Sequence, residues 1–110
     1  MFTPRLVFVT APNIEEARHL ARLVLEKRLA ACVNLVPSLE SHYWWEGKLE
    51  TAQEVLLLMK SSAEQFTELE ALVHLHHSYD CPEIVAVDPR EITPAYRQWW
   101  EESGAGPAEG

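Results

Sequence analysis

Glycine, cysteine and basic residues are all scarce in this chain, and each scarcity closes off a class of function. Four glycines occur in 110 residues, and three of them, Gly104, Gly106 and Gly110, lie at the C-terminal end. No glycine-rich loop is therefore available to cradle a phosphate, and neither a GxGxxG fingerprint nor a Walker A motif is present. The HExxH and GxSxG signatures are missing as well. Two cysteines, Cys32 and Cys81, do not make a disulfide framework and point to a cytoplasmic setting. Met1-Phe2-Thr3-Pro4-Arg5 shows no basic region followed by an apolar run, so no secretory signal is expected. No apolar run reaches membrane-spanning length. Nine Lys and Arg stand against seventeen Asp and Glu, a formal charge of −8. That balance argues against nucleic acid, whose phosphates demand a basic footprint. It suits the attraction of cations, and equally it suits plain solubility.

What the chain has in quantity is apolar residues, 47% of the total, enough for one globular core. We expect one domain over residues 1–103 and a frayed tail over 104–110. The chain is organised around a long β-hairpin. Its outbound arm runs from Ala31 to Trp45, its turn is Glu46-Gly47, and its return arm runs from Lys48 to Lys60. An X-Gly pair between two β-rich runs is a hairpin signal, because glycine supplies the positive φ of a two-residue turn. An arm of about 15 residues spans about 50 Å, whereas a compact domain of this size has a radius of gyration of about 13 Å. The hairpin must therefore bend or project. Pro37 provides the bend, since proline cannot donate to a sheet ladder. The distal half carries Tyr43, Trp44 and Trp45, and bare aromatic strands invite pairing with another chain. These three residues are the expected interface of a homo-oligomer.

The flanking segments complete a pattern. Leu6-Val7-Phe8-Val9-Thr10 reads as a buried strand. Asn13 is an N-cap, with Glu16 placed to reach back to its N–H as in a capping box. Ala17, Leu20, Ala21, Val24 and Leu25 recur at helical spacing, predicting a helix over residues 14–29 with Lys27 and Arg28 in its last turn. After the hairpin, Ser61-Ser62 with Glu64 and Gln65 opens a second helix over 63–76, carried by Phe66, Leu69, Leu72 and Val73. Glu83 to Val87 reads as a last strand. Thr93-Pro94 caps a short helix to about Glu102, which bears Tyr96, Trp99 and Trp100. The order is β-α-β-β-α-β plus a short C-terminal helix, the α+β, ferredoxin-like arrangement. Right-handed crossovers put both long helices on one face of an antiparallel sheet and leave the other for a neighbour to cover.

Chemistry is sparse. His74, His76, His77, Asp80 and Cys81 form the one cluster of metal-type ligands, and imidazole with thiolate suits copper or zinc. Their spacing matches no closed structural zinc site, and histidines at a helix C-terminus also serve the dipole. Cys81 beside His77 could be read as an activated thiol, yet no third orienting group stands out. Cys32 lies in a strand, as a small buried hydrophobe would. The aromatics Tyr43, Trp44, Trp45, Tyr96, Trp99 and Trp100 suit interface anchors or the lining of a ligand pocket. No catalytic constellation emerges, and the chain reads as non-enzymatic.

Ala30-Ala31-Cys32-Val33-Asn34, followed by Tyr43-Trp44-Trp45-Glu46-Gly47-Lys48, resembles the signature of the CutA family, the divalent-cation tolerance proteins. Val9-Thr10-Ala11-Pro12, the stretch His77-Ser78-Tyr79-Asp80-Cys81-Pro82-Glu83-Ile84 and the closing Tyr96-x-x-Trp99 fit it too. The resemblance implies a ferredoxin-like fold, a homotrimer built by the long hairpins, a cytoplasmic location and tolerance of copper or another divalent metal. It also implies an architecture like that of PII-type signalling proteins, and hence two alternatives. One is a ligand-sensing module with a small-molecule site between subunits, and the other is a structural trimer acting as a scaffold. By the same resemblance, His76 and His77 match the family's adjacent copper-ligating histidines. The family's cysteine ligand falls on Val9, which cannot ligate, so two imidazoles remain.

Overall fold

The computed structural model describes residues 1–104. Its elements are β1 (Pro4–Ala11), α1 (Ile14–Glu26), β2 (Cys32–Trp45), β3 (Lys48–Ser62), α2 (Phe66–His76), β4 (Ile84–Val87) and α3 (Pro94–Gly104), with a 3₁₀ turn (Ala63–Gln65) ahead of α2. The four strands form one antiparallel sheet in the order β2-β3-β1-β4. The expected succession of elements is therefore observed, with β1 and β3 central.

Strand alternation decides which face is covered. Val7, Val9 and Ala11 of β1 and Val55, Leu57 and Met59 of β3 point to one side and are buried. There they meet Ala17, Leu20, Ala21 and Val24 of α1 and Leu69 and Val73 of α2 in a single cluster. The alternate residues, Leu6 and Phe8 of β1, Leu56 and Leu58 of β3, and Val85 and Val87 of β4, face the other side of the sheet. Val85 is 48% exposed. The third helix packs at the end of β3, where the indole N–H of Trp100 donates to the Ser61 carbonyl (2.9 Å) and the ring meets Phe2 edge-on.

The hairpin turns as expected. Glu46 (φ +50°) and Gly47 (φ +79°) both take the left-handed conformation of a two-residue turn, pairing Trp45 with Lys48. The bend lies where Pro37 predicts it. The β2–β3 register slips between Val36 and Leu39, and Ser38 takes φ +62°. The molecule measures 45 × 30 × 22 Å.

Three local expectations need correcting. The first helix stops at Glu26, not residue 29, so Lys27 and Arg28 lie outside it. Arg28 takes φ +57°, its N–H bonds to Leu25 O and that of Leu29 to Val24 O (both 3.0 Å), a Schellman closure that buries Leu29 and Ala30. Asn13 does cap α1, accepting the Glu16 N–H (2.8 Å), but the Glu16 carboxylate does not reach back. It crosses to the end of α2, as described below. Finally, Gly104 belongs to α3 and is buried against Ala31. A Cβ there would lie 2.6 Å from the Ala31 nitrogen, so only glycine lets the helix end approach so closely. The remainder of the expected tail, residues 105–110, lies outside the described residues.

Candidate functional site

The loop from His77 to Glu83 is fastened at its start by His77. The His77 side chain is fully buried. Its Nε2 lies 2.7 Å from the Thr10 carbonyl and its Nδ1 lies 3.0 Å from the Tyr79 backbone nitrogen. A carbonyl can only accept and an amide N–H can only donate, so Nε2 carries the proton and Nδ1 is the acceptor. Glu16 completes the fastening by accepting the Ser78 N–H (2.9 Å) and hydroxyl (3.0 Å). Three elements, β1, α1 and α2, are thus tied to one turn of chain.

The histidines predicted as a pair are not brought together. His77 points inward with both nitrogens engaged, whereas His76 is exposed and its ring lies edge-on to His19 of α1, 6.0 Å between centroids. His74 donates to the Asp80 carbonyl (3.3 Å). Val9, onto which the resemblance maps a cysteine ligand, is wholly buried in the core. Among the described residues, no three His, Cys, Asp or Glu side chains converge to hold a metal ion. Cys32 and Cys81 are free thiols.

The aromatic residues of the hairpin divide between its faces. Tyr43 and Trp45, two apart, line a cleft. Trp44, between them, projects the other way, 72% exposed, across from the similarly exposed Leu49. The cleft forms where β1 runs out. Ala11 pairs with Val55 as the last rung, so Glu54 is the first β3 residue without a β1 neighbour. The bent outer half of β2 walls this space on one side and the His77–Glu83 loop on the other. Its volume is about 590 Å³, and it is lined by Thr10, Ser41, His42, Tyr43, Trp45, Glu54, Tyr79, Cys81 and Glu83.

Two carboxylates set its electrostatics. Glu54 is only 9% exposed and accepts the Tyr79 hydroxyl (2.8 Å). Burial, reinforced by that bond to Glu54, holds the Tyr79 phenol well above its ordinary range. Glu83, at the rim, has its carboxyl raised by desolvation and then by the nearby Glu54 charge. Among the described residues, no Lys or Arg lines the cleft. His42, also in the lining, is held 2.6 Å from Glu40 and 3.2 Å from the Thr51 hydroxyl. Sequence reasoning missed this cleft because its parts are scattered over 70 positions of chain. The usable signals were the aromatics Tyr43 and Trp45, which suited a pocket lining, and a lone Glu54 preceding the apolar run Val55–Met59.

No helix among the described residues is long and apolar enough to cross a membrane. Residues 5–103 match the family of the CutA1 divalent ion tolerance protein. The divalent-cation tolerance protein CutA of Archaeoglobus fulgidus is 40% identical over 97 residues, covering 88% of this chain and 94% of its relative. That of Thermus thermophilus is 43% identical over 98 residues, covering 89% and 95%. The chain spans only about half the length of the plant and mammalian relatives that it matches, such as 55% of the chloroplastic CutA 1 of Oryza sativa at 41% identity. Among solved structures, the Thermus thermophilus protein superposes with a TM-score of 0.88 at 42% identity, over 91% of this chain and 97% of its own. CutA1 from Oryza sativa gives 0.88 at 38% identity, over 99% and 98%.

Proposed function

Because this chain belongs to the CutA1 divalent ion tolerance family, we propose that it works as a cytoplasmic homotrimer serving divalent-cation tolerance by binding and not by catalysis. One observation carries the assembly. The sheet face formed by Leu6, Phe8, Leu56, Leu58, Val85 and Val87 is apolar, and the two helices lie on the opposite side. A face of this kind, continuous with a hairpin that presents Trp44 and Leu49 to solvent, is the kind of surface that copies of a chain cover for one another. The free thiols Cys32 and Cys81 suit a reducing compartment.

Copper or another divalent ion meets this protein through its imidazoles. His76 is open to it. His77 can join His76 only by giving up Thr10 or Tyr79, so we propose contact through His76, with His77 recruited at a structural cost. Copper bound in fixed stoichiometry and lost in His76→Ala supports this, and copper binding indifferent to both histidines overturns it. The cleft favours a second reading, in which the trimer senses a small molecule and passes its state to a partner protein.

The assembly is tested by Val85→Lys. Val85 lies outside the monomer core, so the chain should fold while a lysine on the covered face splits the trimer. Light scattering should fall from three chains to one. An unchanged mass for this variant overturns the assignment of the face.

A further inference from the structure

We propose that the cleft between the bent hairpin and the His77–Glu83 loop is a binding site for a small organic cation, an ammonium or guanidinium group carried on an apolar body. This rests on the ligand-sensing reading above and names the ligand class that it requires.

Size speaks first. A space of about 590 Å³ is that of a small-molecule pocket and far exceeds what a bare ion fills. The lining then selects the charge. Glu54 and Glu83 supply two carboxyl groups, and among the described residues no Lys or Arg lines the cleft to receive an anion. One oxygen of Glu54 already accepts the Tyr79 hydroxyl, which fixes the carboxylate in place and leaves its remaining acceptor capacity for a ligand N–H. Burial and then the Glu54 charge raise the Glu83 carboxyl, and a positive group bound beside the two offsets that repulsion and favours the ionised form of Glu83.

The walls select the body of the ligand. Tyr43 and Trp45 occupy alternate positions of β2 on the cleft side, and aromatic faces attract ammonium and guanidinium groups while burying the methylenes attached to them. A divalent metal uses none of this. Among the described residues no three His, Cys, Asp or Glu side chains converge, in the cleft or elsewhere, to hold one. The formal charge of −8 adds a long-range field that concentrates cations of either kind, so the discrimination lies in the cleft itself.

The test uses the full-length protein as purified, with EDTA present, and isothermal titration backed by tryptophan fluorescence. The probes are 2-phenylethylammonium, benzyltrimethylammonium and butylguanidinium, with 2-phenylethanol and phenylacetate as the neutral and anionic counterparts. At least one cation should saturate at one per chain. The alcohol and the carboxylate should bind at least tenfold more weakly. Glu83→Gln and Glu54→Gln keep size and hydrogen bonding, and each should weaken the cation tenfold or more without changing the alcohol. Trp45→Phe should weaken the cation less than Trp45→Ala does. The proposal is overturned if none of the cations saturates, if the neutral probe binds as well, or if Glu83→Gln leaves the cation unaffected. It is overturned likewise if Zn(II), with EDTA omitted, fills the cleft stoichiometrically through Glu83 while the amines do not bind. Light scattering on the same samples separates the two readings. A trimer that binds no cation keeps the assembly and overturns this site, and a monomer that binds one does the reverse.

Discussion

Replacing His77 with alanine distinguishes a structural clamp from a metal ligand. Its imidazole is fully buried and satisfies two backbone groups, the Thr10 carbonyl and the Tyr79 N–H. Leaving a buried donor or acceptor without a partner costs about 1–3 kcal/mol each. Lost packing adds to this, and water entering the vacated space offsets part of it. We expect a net loss of about 3 kcal/mol, roughly a hundredfold in the unfolding equilibrium. The assay is guanidinium chloride unfolding at one fixed chain concentration, because assembly makes the midpoint concentration-dependent. EDTA must be present, so that no metal contributes. His77→Gln, which can still donate to Thr10, should recover about half of the loss. A His77→Ala protein that unfolds within about 0.5 kcal/mol of the parent in EDTA would refute the clamp.

Three further expectations follow from the packing and the titrating groups. Leu57→Ala should cost about 2–5 kcal/mol in the same unfolding assay, since Leu57 has no exposed surface and is paired with Val9 and Leu35 at the centre of the sheet; a loss below about 1 kcal/mol would contradict the assigned core. Gly104→Ala has a diagnostic sign. Helix propensity alone predicts stabilisation by up to about 1 kcal/mol, whereas the clash with the Ala31 backbone predicts destabilisation by about 1–3 kcal/mol. The Glu64 carboxylate accepts both the N–H (2.9 Å) and the hydroxyl (2.6 Å) of Thr3, and those bonds lower its pKa. A lowered folded pKa gives stability that is present above the unfolded value, about 4.3, and lost as pH falls through the folded one. Amide exchange at Thr3 should therefore accelerate in acid beyond its intrinsic pH dependence, and Glu64→Gln should abolish that excess; equal acid sensitivity in both proteins would refute the clamp on the N-terminus.

Much of the fold was legible because it depends on short-range rules. The continuous apolar run Leu6–Thr10 and the helical spacing of apolar residues from Ala17 to Leu25 mark one strand and one helix, and Gly47 and Pro37 mark the turn and the bend. Where a local rule and a distant contact competed, the distant contact won. Glu16 has the spacing of a capping-box residue, but it serves Ser78, 62 positions away. Arg28 reads as a helical residue that suits the dipole, but it turns left-handed so that Leu29 can reach the core. Gly104 reads as the start of a tail, yet its lack of a side chain is what admits Ala31. The candidate site was the least legible part. His76 and His77 are neighbours in sequence, but the end of α2 sends one outward and the other inward, because the Thr10 carbonyl at the end of β1 needs a donor. Tyr43, Trp44 and Trp45 read as one aromatic block, and strand alternation splits them between a cleft and a surface. Glu54 belongs to no motif, Tyr79 and Glu83 stand in the family-like stretch His77–Ile84 without any sign of a shared site, and only the early end of β1 makes the three neighbours.

Central to the proposed function is that copies of this chain cover one another's open sheet face. Native mass spectrometry at micromolar chain concentration tests it most directly. The account predicts one dominant species of three chains, each of 12.6 kDa, that persists on dilution. A protein that flies as a single chain, with Phe8, Leu56 and Val85 left facing solvent, would contradict it.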